Sequence, residues 1–209
     1  MVRVKICGIR SRKEALWIAA AGAWAAGFVF APSRRQVTVG EAARIIAVLP
    51  PSIHKVGVFV DSALETVESI IAATGIDMLQ FHGQESPAYC QEFNLPVIKS
   101  FRVGDKNSLA QVDKYHVFAH LFDTYVPGSY GGSGQTFDWR CLDDLPAGLR
   151  IILAGGLNPG NVASAVQQIR PFAVDVSSGV ELAGHKDGSL IQDFIRASGE
   201  GSRTSKVVF

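Results

Sequence analysis

Apolar residues fall along this chain in short, β-branched runs separated by stretches where they recur every three or four positions, the pattern of strands alternating with helices. The first run, Val2 to Gly8, ends in Cys7-Gly8 and leads into Ser11-Arg12-Lys13-Glu14, which has the form of a capping box; Ala15, Leu16, Ile18 and Ala19 then follow at helical spacing. Trp24 to Phe30 predicts a second strand, followed by the polar loop Ser33-Arg34-Arg35-Gln36 and a helix from Val37 to Leu49 closed by Pro50-Pro51. Lys55 to Val60 reads as a strand, and Ser62 to Thr74 as a helix with a second capping box at Ser62 and Glu65. Ile76 to Phe81 is a fourth strand, Ser86-Pro87 caps a short helix to about Phe93, and Val97 to Phe101 is a fifth strand.

The second half repeats the alternation. A helix is expected within Ser108 to Tyr115, a strand over Val117 to Asp123, and a glycine-rich loop over Gly128 to Gly134. Phe137 to Leu145 can hold a short helix, and Arg150 to Ala154 a buried strand. Asn158-Pro159 caps a helix carrying Val162, Ala165, Val166 and Ile169; Phe172 to Val176 is the eighth strand, and Asp187 to Ala197 the last helix. Strands apolar nearly throughout, each followed by a helical segment, predict a parallel sheet covered by helices. The count favours a closed (β/α)8 TIM barrel, eight parallel strands with outer helices, as a single domain over 1–197, with 198–209 as a flexible tail. A doubly wound open sheet is the alternative, but it would need edge strands more polar than any seen here.

Composition narrows the function. Twenty basic against nineteen acidic residues give a net charge of +1, which leaves no electrostatic footprint for nucleic acid. No apolar run is long enough to span a membrane, and the first residues do not form a secretion signal. Cys7, Cys90 and Cys141 are odd in number and widely spaced, which suits a reducing, cytoplasmic setting. The expected partner is a small molecule, and the chain is expected to work as a monomer or homodimer.

In such a barrel the chemistry sits where strands end and loops begin: Cys7, Arg34 and Arg35, Gln80 and His82, Lys99, Asp123, Gly155-Gly156, and Asp175 to Ser178. Gly155-Gly156 after strand seven and Ser177-Ser178-Gly179 after strand eight let backbone N–H groups approach an anion, which points to a phosphorylated ligand. Asp123 and Cys7 lie on well-separated strands, so a substrate could lie between an acid on one side and a base on the other. Lys5 is expected on the face opposite Cys7, out of reach of the thiol. Gln80 and His82 face the mouth together. Arg35 could grip a carboxylate, with Arg34 beside it as a competitor. His116 and His120 have the spacing of a helical metal pair, but on a strand four residues span ~13 Å, too far for one ion, so no metal is expected.

Taken together, several segments resemble one family: Val4-Lys5-Ile6-Cys7-Gly8-Ile9, Gly27-Phe28-Val29-Phe30 with Ser33 and Arg35, Val56 to Val60, Leu79-Gln80-Phe81-His82-Gly83, Leu121-Phe122-Asp123, Gly131 to Gly134 with Phe137-Asp138-Trp139, Leu153 to Leu157, and Val174 to Glu181. The sequence is similar in these segments to phosphoribosylanthranilate isomerase, the barrel enzyme of tryptophan biosynthesis. The resemblance implies an isomerase that converts N-(5-phosphoribosyl)anthranilate to 1-(2-carboxyphenylamino)-1-deoxyribulose 5-phosphate by an Amadori rearrangement, without a cofactor. It implies Cys7 as general base, Asp123 as general acid, Arg35 on the anthranilate carboxylate, and the Gly155-Gly156 and Ser177-Ser178 loops on the phosphate. Ser133, Phe81 and Arg34 stand where the family more often has threonine, leucine and proline. A phosphosugar lyase of the same pathway would call for a catalytic lysine, and only Lys99 is available at a strand end. A barrel that binds a phosphorylated ligand without catalysis is the other reading, and intact Cys7 and Asp123 argue against it.

Overall fold

The computed structural model describes residues 1–104, 109–124, 138–143 and 145–204, and within them eight parallel strands close into a barrel. In chain order they are β1 (Arg3–Cys7), β2 (Ala25–Val29), β3 (His54–Phe59), β4 (Met78–Phe81), β5 (Val97–Val103), β6 (Ala119–Thr124), β7 (Ile151–Leu153) and β8 (Ala173–Val176). Each pairs in parallel with its neighbour, and β1 pairs with β8 from Arg3↔Ala173 to Ile6↔Val176. That last pairing rules out the open sheet, because the ring leaves no edge strand.

Outside the ring lie α1 (Arg12–Ala20), α2 (Val39–Ile46), α3 (Leu64–Thr74), α4 (Pro87–Gln91), α5 (Val162–Ile169) and α6 (Gly188–Thr204). A hairpin of β9 (Glu181–Leu182) and β10 (His185–Lys186) follows β8. The capping box at Ser11 and Glu14 forms, and the buried Glu14 carboxylate also accepts the backbone N–H of Lys186 at 3.3 Å, tying α1 to the hairpin. The box expected at Ser62 and Glu65 does not form. Helix α3 starts at Leu64 with Ala63 at its N-cap, so Glu65 is one position too early to reach back. An unexpected box forms at Thr38 and Glu41, opening α2 at Val39 rather than Val37.

Two crossovers differ from expectation. Between β5 and β6, and between β6 and β7, the described residues carry only 3-10 turns, Val112–Lys114 and Trp139–Leu142. Each turn buries one residue, Val112 or Leu142, and a single anchor does not make the apolar stripe that a packed helix needs. Asn158-Pro159 forms a turn and Asn161 takes the N-cap of α5. Helix α6 does not end at Ala197. It runs to Thr204, with Ser198 buried and the Ser202 hydroxyl accepting the Val2 N–H at 3.0 Å, so 198–204 is helix rather than tail. The glycine-rich loop over Gly128–Gly134, and residues 205–209, lie outside the described residues.

Side chains alternate along each strand, so every second residue points into the barrel. The lower interior is apolar: Ala25, Val56, Met78, Ile98, Leu121 and Ile152 form a cluster separate from the larger core between sheet and helices. Toward the carboxyl ends of the same strands the inward positions become polar, with Lys5, Gln80, Ser100, Asp123 and Asp175 all buried. The change from apolar to polar filling marks the end of the barrel where chemistry is possible.

Candidate active site

A cavity of ≈ 330 Å³ opens at the carboxyl ends of the strands, and Cys7, Arg35, Gln80, His82, Asp123, Asp175 and Ser177 line it. Its remaining wall includes Val29, Pro32, Val58 and Val60. The cavity therefore has a polar floor and an apolar side, the arrangement of a small-molecule site. The other sequence candidates, Gly155, Gly156, Ser178 and Gly179, belong to the loops after β7 and β8 and are not in its wall. Those loops press together, since a Cβ at Gly179 would collide with the Leu157 carbonyl, and the first also packs on the end of β6, where one at Gly155 would collide with Thr124. Gly155 and Gly156 also hold φ of +86° and +62°, which glycine adopts without strain.

On one side stands Asp123, near the end of β6. Burial, reinforced by the charge of Asp175, pushes its carboxyl up to about 6, against the opposing pull of the Thr124 N–H, Arg102 and Lys5. A carboxyl held so high keeps a protonated fraction near neutral pH, as a general acid requires. His82 Nε2 lies 3.6 Å from Asp123 Oδ2, and His82 Nδ1 is 3.1 Å from Gln80 Nε2. With Gln80 donating, the histidine carries its proton on Nε2, facing the carboxylate. Burial, together with the charges of Arg102, Lys99 and Lys5, takes His82 down to about 3, so the ring stays neutral. Gln80 is itself fixed by Ser100, 3.3 Å away.

On the other side stands Cys7, the last residue of β1. Lys5 is not on the opposite face: residues two apart on a strand share a face, and Lys5 lies directly below the thiol. Its ammonium, wholly buried, donates to Asp175 Oδ1 at 2.8 Å and lies on the same side of the strand as the Cys7 sulfur. Burial works to discharge Lys5, but Asp175 and Cys7 outweigh it and hold its pKa above the usual lysine value. Burial pushes the Cys7 thiol up, opposed by the charges of Lys5 and Lys186. The neighbouring strand leaves room for this cluster: a Cβ at Gly27 would lie 2.9 Å from Cys7 Sγ and 3.2 Å from Lys5 Nζ.

Arg35 is set apart from Arg34. Arg35 is largely buried at the cavity rim, whereas the Arg34 side chain is 62% exposed. Glu181 holds the Arg35 guanidinium in two-pronged fashion, Nε–Oε1 at 2.6 Å and Nη2–Oε2 at 2.9 Å. Although burial alone would raise it, Glu181 is held down at about 2 by Arg35 and Lys186. The Lys186 ammonium donates to Glu181 Oε1 at 2.7 Å and to the Ser177 carbonyl at 3.0 Å, while the Ser177 hydroxyl donates to the Cys7 carbonyl at 3.0 Å. Sequence reasoning missed Lys186 because it arrives on a hairpin that no periodicity announces. It misplaced Lys5, although a lysine inside an apolar strand, two residues before the cysteine, was signal enough. Among the described residues no group of three or more His, Cys, Asp or Glu is placed to hold a metal ion, and no helix is long and apolar enough to cross a membrane.

Known proteins are similar to this chain in sequence and fold over nearly its whole length. The family model of N-(5'phosphoribosyl)anthranilate (PRA) isomerase matches residues 4–197. The N-(5'-phosphoribosyl)anthranilate isomerase of Syntrophomonas wolfei is 53% identical over 196 residues, 93% of this chain and 96% of that one. The crystal structure of phosphoribosyl anthranilate isomerase from Thermotoga maritima matches with a TM-score of 0.87 at 40% identity, over 95% of this chain and 99% of that one. A structure of phosphoribosyl anthranilate isomerase in complex with reduced 1-(o-carboxyphenylamino)-1-deoxyribulose 5-phosphate matches with a TM-score of 0.84 at 38% identity, over 95% and 99% of the two chains. With the fold and the sequence agreeing over nearly the whole chain, the chain belongs to the N-(5'-phosphoribosyl)anthranilate isomerase family.

Proposed function

We infer that this chain is an isomerase of tryptophan biosynthesis, converting N-(5-phosphoribosyl)anthranilate to 1-(2-carboxyphenylamino)-1-deoxyribulose 5-phosphate by an Amadori rearrangement. The observation that carries the residue roles is the placement of Cys7 and Asp123 on one cavity that also has an apolar wall. Asp123 gives its proton to the ribose ring oxygen as the nitrogen lone pair expels it, opening the sugar to a protonated imine. The imine acidifies the proton on sugar C2. Cys7, as thiolate, takes that proton and leaves an enolamine, which becomes the ketone as C1 gains a proton and the C2 hydroxyl loses one. One donor and one acceptor on opposite sides of the sugar suffice.

The remaining groups orient the substrate. The anthranilate ring lies against Val29, Pro32 and Val58, and Arg35 holds its carboxylate with a guanidinium kept in place by Glu181. The loops carrying Gly155-Gly156 and Ser177-Ser178-Gly179 receive the phosphate, Asp175 accepts from a sugar hydroxyl, and Gln80 and His82 support Asp123. Support for these placements is a relative with a reduced product analogue bound and the same fold. The cavity lies within one chain, so a monomer or homodimer serves equally well, and with a net charge of +1 the partner is the small phosphosugar rather than nucleic acid or membrane, in the cytoplasm. Lys99 does not line the cavity, which leaves a lyase without its lysine.

The reaction is tested by generating the substrate in place from anthranilate and phosphoribosyl pyrophosphate with the upstream transferase, then following the loss of its fluorescence. Enzyme-dependent loss is expected, and its absence overturns the assignment. Cys7→Ala and Asp123→Asn should each lower kcat by at least ~10²; near-normal turnover in either variant rejects the role given to that residue.

A further inference from the structure

The thiol that removes the C2 proton sits in a buried place that disfavours its charged form, so some neighbour must compensate. The charged groups around it come from three directions: Lys5 from its own strand, Asp175 from β8, and Lys186 from β10. On the fourth side, β2 sets the uncharged Gly27 directly opposite Cys7. Lys186 is already committed to Glu181 and to the Ser177 carbonyl and hydroxyl. Lys5 is closer in kind to what the sulfur needs: its ammonium is wholly buried, has Asp175 at 2.8 Å to hold its charge, and shares the pocket beside Gly27 with the sulfur. Both Sγ and Nζ crowd the one point where a Gly27 side chain would begin.

We propose that Lys5 is a positioning residue for the isomerisation: fixed by Asp175, its ammonium lies against the Cys7 sulfur and stabilises the thiolate that takes the sugar C2 proton. The ammonium keeps its three protons throughout, and the substrate proton ends on sulfur, leaving Lys5 and Asp175 as a neutral pair. This rests on Cys7 being the base. The competing account makes Lys5 only the counter-ion of Asp175, a structural pair with no bearing on the thiol.

The pH dependence of Cys7 alkylation by iodoacetamide separates the two, read at the Cys7 peptide by mass spectrometry so that Cys90 and Cys141 do not contribute. In Lys5→Met the profile should move to higher pH by about one unit or more, so that the rate at pH 7 falls roughly tenfold. Turnover should fall at least about threefold in kcat, with KM changed less, because only the thiolate fraction has altered. Should stranded Asp175 prevent Lys5→Met from folding, Lys5→Met/Asp175→Asn removes both charges together, and the profile should again move upward. A folded variant with an unmoved alkylation profile overturns the proposal. Failure of the underlying reading shows separately, as near-normal turnover in Cys7→Ala whatever the alkylation profile does.

Discussion

Lys5 on β1 and Lys99 on β5 are both buried and both paired with one carboxylate, yet the two pairs do different work. The Lys99 ammonium donates to Glu85 at 3.0 Å and to the Gly83 carbonyl at 2.8 Å, with the Phe81 and Ser100 carbonyls at 3.4 and 3.3 Å. Glu85 in turn accepts the N–H groups of Asp61 and Gly83. That network fastens the loops after β3 and β4 to β5 and stays outside the cavity. Lys5 donates to Asp175 and sits beside the Cys7 sulfur, and both of those neighbours open onto the cavity. A buried charge whose donors are saturated by backbone holds structure together; one whose partners face a ligand site is available to chemistry.

Three experiments press on that distinction. The largest effect is expected from Lys99→Met, which leaves Glu85 buried with one charge uncompensated and should cost about 3 kcal/mol in stability, measured by urea unfolding. Its kcat at 25 °C should stay within about twofold of the parent, and a kcat loss matching that of Lys5→Met would erase the contrast between the pairs. Gly27→Ala comes next. The added Cβ must displace Cys7 Sγ, 2.9 Å away, and Lys5 Nζ, 3.2 Å away, so kcat should fall by up to about 10² while the fold survives with a loss of about 1–3 kcal/mol. Full activity would show that the thiol and the ammonium need no fixed geometry.

The smallest effect is in the pH profile. The competent enzyme has Asp123 protonated and Cys7 ionised, and burial has raised Asp123 to about 6 while also raising the thiol. Below pH 6 the acid is already protonated and only thiolate is lacking, so kcat/KM should climb with pH. Above about 6 the loss of the acid form offsets the gain in thiolate and the curve levels; above the thiol's own value it falls. At pH 5 activity should be about tenfold below the level region. The bend near 6 should persist in Lys99→Met and vanish in the residual activity of Asp123→Asn; a bend that survives in Asp123→Asn belongs to another group.

The barrel strands are legible in the sequence because a parallel strand buried on both faces is apolar almost throughout, as in Val56 to Phe59 or Ile151 to Leu153. The rule that chemistry sits at the carboxyl ends of barrel strands selects Cys7, Gln80, His82, Asp123 and Asp175 from the sequence alone, and all five meet at one cavity. What escaped depended on events a local pattern does not encode. The cap at α3 failed by a one-residue displacement of the helix start. The two crossovers lack full helices in their described parts because Val112 and Leu142 each pack alone. Lys186 reaches the site only because the chain reverses at Ala183 and Gly184, both with positive φ. Strand alternation itself puts Lys5 on the same face as Cys7, and the contrary expectation hid a charged group beside the thiol.

The seam between β1 and β8 has a consequence for how the protein is made. Lys5 and Asp175 lie 170 positions apart in the chain, and so do Cys7 and Ser177. A polypeptide emerging from the ribosome thus displays its thiol with the first strand, long before the carboxylate that fixes Lys5 has been translated. Truncation between the sixth and eighth strands yields a fragment that owns the thiol and the Asp123 acid, yet has neither Asp175 nor the Ser177 hydroxyl that bonds the Cys7 carbonyl. Ring closure is therefore a quality check as well as an architecture: only a chain translated through its last strand can assemble the reactive centre.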